Sequence, residues 1–117
     1  MVDHCTFAAK LFDMTPEELK DKVANTPGIV LYFKNDLCSP CLALRPKIEE
    51  LVNSQFPKME FLIVDTVQQP LLSSEYNVFA NPTILVFFEG REYIRKSKYI
   101  GTSELEQEIE RLYQMVF

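Results

Sequence analysis

Apolar residues cluster in short runs at Ile29-Val30-Leu31-Tyr32-Phe33, Phe61-Leu62-Ile63-Val64 and Thr83 to Phe88. Each run is rich in strand formers and too short for a helix, so each predicts a buried strand. Tyr93 to Tyr99 alternates instead, which predicts a half-exposed antiparallel edge strand reached through a turn at Glu89-Gly90. Helical signals fill the gaps. Thr15-Pro16-Glu17-Glu18 offers an N-cap, a proline at the first helical position and a Glu that closes a capping box. Leu19 and Val23 give that helix an inner face, and Asn25-Thr26-Pro27-Gly28 stops it. Cys41, Leu44, Ile48 and Leu51 recur at spacings of three and four, one face of a helix in which Pro46 predicts a kink. Pro70 to Tyr76 reads as a short helix or turn ended by Asn77. Ser103-x-x-Glu106 reads as a second capping box, with Leu105, Ile109, Leu112 and Val116 lining the last helix.

The order is α, β, α, β, α, β, β, α. It predicts an α/β fold: a mixed central sheet, parallel strands plus a C-terminal antiparallel hairpin, with helices on both faces. A further short strand is expected within Phe7 to Phe12, in an N-terminal segment (1–14) that is otherwise expected to be poorly ordered. No repeat, linker or low-complexity tract interrupts the chain, so residues 1–117 read as one domain.

Composition then removes function classes. The chain has 12 Lys plus Arg against 17 Asp plus Glu, a net charge of −5, which argues against a nucleic-acid partner. No apolar run approaches the roughly 20 residues of a membrane span. The only glycines, Gly28, Gly90 and Gly101, are too scattered for a dinucleotide or phosphate loop. A single histidine, His4, leaves no His-rich metal site. Met1 to Met14 lacks a continuous apolar core, so it does not read as a signal peptide, and a cytoplasmic location is expected. Cys5 reads as a free cysteine near the terminus. Arg91, Arg95, Lys96 and Lys98 read as charges that protect an edge strand, ahead of a docking patch. Tyr76, Phe79 and Tyr99 read as packing aromatics, ahead of a border to a substrate groove.

Cys38-Ser39-Pro40-Cys41 carries the chemistry. It lies where a buried strand gives way to a helix. Cys38 falls at the helix N-terminus, where free N–H groups and the macrodipole favour a thiolate. Cys41 follows about one turn later on the inner face, shielded but within disulfide reach. This asymmetry suits a nucleophile and a resolving thiol. Pro40 at the helix start costs no hydrogen bond and stiffens the loop. Zinc fits less well, because only Cys5 and His4 remain as further ligands. An inert pair on a redox-silent fold is the other alternative.

Over residues 15 to 117 the chain resembles thioredoxin. The likeness rests on Cys38-Ser39-Pro40-Cys41 after a buried strand, on Pro46, on Val64-Asp65 followed by Pro70 and Tyr76, on Asn81-Pro82-Thr83, and on Gly90 and Gly101. Pro82 stands 41 residues after Cys41. The resemblance implies a cis bond at Pro82, in a loop beside the reactive disulfide. There Asn81, Pro82 and Thr83 would pair with an extended substrate segment by strand addition. Several positions depart from the family. Leu37 stands where a tryptophan is usual, Ser39-Pro40 replaces Gly-Pro, and polar Asn81 replaces an aliphatic residue. Tyr32 matches the buried aspartate that helps deprotonate the inner cysteine, and Ile63 matches its lysine partner. A phenol with a pKa near 10 is a poor base at neutral pH, so Tyr32 is expected to modulate the site.

The expected function is therefore thiol–disulfide oxidoreduction, chiefly reduction of protein disulfides, by Cys38 and Cys41 with no bound cofactor. The resemblance implies disulfide-containing protein substrates and a flavin-dependent thioredoxin reductase as partners of a monomer. The alternatives are a low-turnover thioredoxin-like adaptor and an exported oxidant or isomerase.

Overall fold

The structure, a computed structural model, describes residues 14–117. The segment from Phe7 to Phe12, His4 and Cys5 lie outside the described residues. Thr15 caps helix α1 (Pro16–Asn25) as its sequence predicts: its hydroxyl accepts from the Glu18 N–H at 3.1 Å, and the Glu18 carboxylate accepts from the Thr15 N–H at 2.8 Å. Strand β1 (Gly28–Lys34) follows, then helix α2 (Ser39–Gln55), which runs on through Pro46. Strand β2 (Glu60–Asp65), helix α3 (Pro70–Glu75), strands β3 (Thr83–Phe88) and β4 (Arg91–Ser97) and helix α4 (Thr102–Val116) complete the expected order.

The sheet order is β2-β1-β3-β4, with β1 parallel to β2 and the remaining pairs antiparallel. The central strand β1 is buried on both faces, which explains its unbroken apolar run. Leu31 and Phe33 pack with Leu19 and Val23 of α1 and Leu72 of α3 on one side. Val30 and Tyr32 pack with Ile48 and Val52 of α2 and Leu105 and Ile109 of α4 on the other. Among the described residues two helices thus cover each face, and β1 delivers its C-terminal end to Cys38.

Two local expectations need correction. Helix α4 starts at Thr102, with Gly101 as N-cap and no side-chain cap, so Ser103 and Glu106 do not form a capping box. The Gly101 carbonyl already accepts from the Leu105 N–H at 3.0 Å, which places Ser103 inside the first turn, past the position from which a hydroxyl caps. The fourth strand spans Arg91 to Ser97, not Tyr93 to Tyr99. It starts early because Glu89 and Gly90, both at positive φ (52° and 84°), close a two-residue turn. It ends early because Lys98 enters the left-handed region at φ 66°. No helix among the described residues is long and apolar enough to cross a membrane.

Candidate active site

The loop after β1 is wound by Asn35. Its side-chain oxygen accepts from the Leu37 N–H at 2.6 Å and its carbonyl accepts from the Cys38 N–H at 3.0 Å. That turn sets Cys38 as the N-cap of α2. The Cys41 N–H then points at Cys38 Sγ, 3.2 Å away. Helix N-terminal N–H groups aimed at a sulfur stabilise its thiolate once the pair is reduced. The two cysteines form a disulfide with Cα atoms 5.3 Å apart. Cys38 is partly exposed, whereas Cys41 is only 1% exposed. Leu37, Ser39 and Pro40 are exposed around the bond, Leu37 to 92%.

Tyr32 is fully buried beneath this turn, and its hydroxyl donates to the Cys41 carbonyl at 2.7 Å. Burial pushes its phenol up to about 12, against a smaller downward pull from Arg45. The proton therefore stays on Tyr32 throughout the neutral range, and the side chain braces the Cys41 backbone without serving as a base. Ile63 is the backbone partner of Tyr32 across the sheet. Phe61 of β2 packs its ring against Tyr32, with ring centroids 6.1 Å apart.

The peptide bond between Asn81 and Pro82 is cis. Pro82 and Pro40 line one groove of about 500 Å³ together with Leu44, Lys47, Lys98 and Tyr99. The Pro82 carbonyl accepts from the Lys98 N–H at 2.9 Å. Asn81 is half-buried, and its amide donates to Thr66 Oγ1 at 3.3 Å. Thr83 is buried; its hydroxyl donates to the Ala80 carbonyl at 2.7 Å and lies 3.1 Å from Ser97 Oγ. Its side chain anchors the loop and does not face the groove. Of the three aromatics expected to pack, only Tyr76 does so, against Phe33 and Phe87. Phe79 and Tyr99 are 84% and 95% exposed. Tyr99 lines the groove, and Phe79 flanks Asn81 on the other side. For Tyr99 the groove border, the alternative its sequence offered, is what the structure shows; Lys47 and Lys98 were not legible as groove residues, because only the crossing of α2, Pro82 and the segment after β4 assembles them.

Charge at the end of β1 is held inward. Lys34 Nζ lies 2.6 Å from Asp36 and 3.2 Å from buried Asp65. Burial alone would raise the Asp65 carboxyl. The Gln68 N–H, the Lys34 ammonium and the Val67 N–H outweigh burial and hold it below the usual aspartate range. Burial likewise lowers Lys34, but Asp36 and Asp65 raise it on balance. The sign follows from linkage. The depressed carboxyl stabilises the fold above the unfolded aspartate range, and that contribution is lost as pH falls through the folded value. The raised ammonium contributes below its unfolded value and is lost at strongly alkaline pH. Asp65→Ala is expected to cost about 2–4 kcal/mol at pH 7, since it removes one of the carboxylates that bind Lys34 and leaves the Val67 and Gln68 N–H donors without their acceptor. The difference from wild type should shrink in urea titrations repeated below about pH 4. A constant difference down to pH 2 would refute the assignment. Among the described residues, no group of three or more His, Cys, Asp or Glu is placed to hold a metal ion.

Comparison with known proteins agrees with this geometry. Residues 10–113 match the family model described as Thioredoxin. The chain is 26% identical to the thioredoxin-like protein YdfQ of Bacillus subtilis, over 73% of this chain and 75% of that one. It is 32% identical to a thioredoxin of Chlamydia trachomatis, over 70% of this chain and 78% of that one. The X-ray structure of Fasciola hepatica thioredoxin superposes with a TM-score of 0.69 at 32% identity, covering 81% of this chain and 88% of that one. With a Cys-x-x-Cys disulfide at the start of a helix, a cis-proline across the groove and a family match along most of its length, the chain belongs to the thioredoxin family of thiol–disulfide oxidoreductases.

Proposed function

We propose that the protein works in the reducing direction, as a cytoplasmic, monomeric, single-domain reductase of protein disulfides. The observation that carries this reading is the unequal setting of the two sulfurs: Cys38 partly exposed with the Cys41 N–H aimed at it, Cys41 buried. The Cys38 thiolate attacks one sulfur of a substrate disulfide. A mixed disulfide forms, and one substrate thiolate leaves and takes up a proton. Cys41, once deprotonated, attacks Cys38 Sγ. The Cys38–Cys41 bond closes and the second substrate thiol departs, so two electrons pass from the protein to the substrate. Leu37, Ser39 and Pro40 frame the attack. The Asn81–Pro82–Thr83 loop presents backbone to an extended substrate segment, with Thr83 holding the loop from below. No bound cofactor is needed, and a thioredoxin reductase would return the electrons. Dithiothreitol-driven reduction of insulin tests the reading: turnover above dithiothreitol alone is expected, and none would overturn it. A reduction potential at or below the glutathione pool is expected for the reducing direction; a strongly oxidising value would point to an oxidant or isomerase.

One observation favours a second reading, a low-turnover adaptor. Tyr32 keeps its proton where a base would speed release of the substrate from Cys38. Cys41→Ser separates the two. A reductase accumulates Cys38-linked mixed disulfides in this variant, whereas an adaptor retains partners when Cys38 is also removed.

A further inference from the structure

Lys47 of α2 and Lys98, just past β4, both line the groove that holds Pro40 and Pro82. Among the described residues, neither forms an ion pair with a carboxylate. The rest of the basic run is otherwise engaged. Arg95 is bound to Glu92, and Lys96 to Glu104 and Glu108. Arg91 stacks on Tyr93 at the far end of β4. Two acidic groups of the neighbouring segments are also engaged: Asp36 with Lys34, and Glu104, beside Gly101, with Lys96. A chain with a net charge of −5 therefore presents unneutralised positive charge beside its disulfide. Lys98 does so from a left-handed backbone, φ 66°, that glycine adopts more readily. Its N–H is tied to the Pro82 carbonyl at 2.9 Å, so the Lys98 backbone is fixed to the cis-proline loop. A non-glycine residue held in this conformation at a site is the kind of outlier that marks function. The adjacent Tyr99, 95% exposed, adds an aromatic wall.

We infer that Lys98 and Lys47 set substrate choice, and that the groove selects disulfides flanked by acidic residues in an extended segment. This rests on the disulfide-reductase reading and adds a specificity to it. A carboxylate near the target cystine meets the lysines while the backbone lies along Asn81–Pro82, and opposite charge across an interface speeds encounter and fixes register.

The test uses two peptides, each with one intramolecular disulfide and identical except for Glu or Lys beside the cysteines. Dithiothreitol supplies the two electrons and two protons that each reduction consumes. The acidic peptide is expected to show a kcat/KM roughly three- to tenfold above the basic one at low salt, with the ratio falling toward one as salt screens the charges. Lys98→Gly, which also removes the left-handed lysine, is expected to shrink the ratio. Lys98→Glu combined with Lys47→Glu is expected to invert it. Lys20→Glu on exposed α1 changes net charge by the same amount as Lys98→Glu and is expected to leave the ratio in place. A wild-type ratio of one, with Cys38-dependent reduction of both peptides, overturns this inference and leaves the reductase reading standing. A ratio that moves as far in Lys20→Glu as in Lys98→Glu also overturns it. Failure to reduce either peptide overturns both.

Discussion

Cys38→Ser is expected to bring dithiothreitol-driven insulin reduction down to the rate of dithiothreitol alone, a loss of roughly a hundredfold or more. A serine hydroxyl forms no mixed disulfide, and the remaining thiol cannot take over. Cys41 is 1% exposed and sits on the inner face of α2, with its carbonyl held by the Tyr32 hydroxyl. A protein disulfide that reaches Cys38 at the end of the loop has no path to Cys41. The fold should survive, because Cys38 is partly exposed and its backbone N–H and carbonyl are held by Asn35 and Leu42 whatever its side chain. Far-ultraviolet circular dichroism and a thermal melt of the reduced variant check that point. More than about a tenth of wild-type turnover in a folded Cys38→Ser protein would remove Cys38 as the nucleophile.

Tyr32→Asp is the second large effect, and it acts on stability and rate in opposite senses. The side chain fills a fully buried site between Phe61 and the first turn of α2. Truncating it leaves a cavity and places a carboxylate among apolar neighbours, at an expected cost of about 3–5 kcal/mol. That is a large share of the 5–15 kcal/mol typical of a domain. The carboxylate would also supply the base that the neutral phenol cannot. Resolution of a preformed mixed disulfide should therefore be faster than wild type near pH 7, measured in single turnover by release of a labelled peptide. Resolution rates unchanged across pH 6 to 9 would show that Tyr32 acts by packing alone.

Tyr32→Phe isolates the hydrogen bond. It is expected to cost about 1 kcal/mol through the Cys41 carbonyl and to leave the pH dependence of resolution parallel to wild type. The phenol pushed up to about 12 has a further consequence at alkaline pH. Below the unfolded tyrosine value near 10, both states hold the proton and the contribution is complete. As pH rises from there toward 12 the unfolded chain ionises first, and stability drains away. Tyr32→Phe should lose less stability than wild type over that window in urea titrations.

Much of this arrangement is local in origin and therefore legible along the chain. The Thr15–Glu18 capping box, the positive-φ turn at Glu89-Gly90 and the start of α2 at Cys38 each depend on residues within four positions of one another. The period of the apolar residues is equally local, so it identified β1, β2 and β3, and the inner faces of α1, α2 and α4, without knowledge of their partners. The sequence implied one exposed and one covered sulfur because Cys38 begins the helix from the loop, whereas Cys41 joins the inner apolar stripe of Leu44, Ile48 and Leu51. Where two local signals competed, the pattern misled: Ser103 and Glu106 have the spacing of a capping box, but the turn had already begun at Gly101.

What the sequence could not decide depends on contacts between distant segments. That the Tyr32 ring packs against Phe61 depends on the register in which β1 and β2 pair, which brings together residues far apart in the chain. That its hydroxyl reaches the Cys41 carbonyl depends on how α2 lies over β1. Lys98 and Tyr99 border the disulfide groove only because β3 and β4 pair in a register that returns the chain to Pro82. Residue type and spacing determined which groups this protein carries and which sulfur is exposed. Tertiary packing decided what surrounds them, because burial, hydrogen-bond partners and charge neutralisation are properties of neighbours that the chain brings together only when the sheet closes.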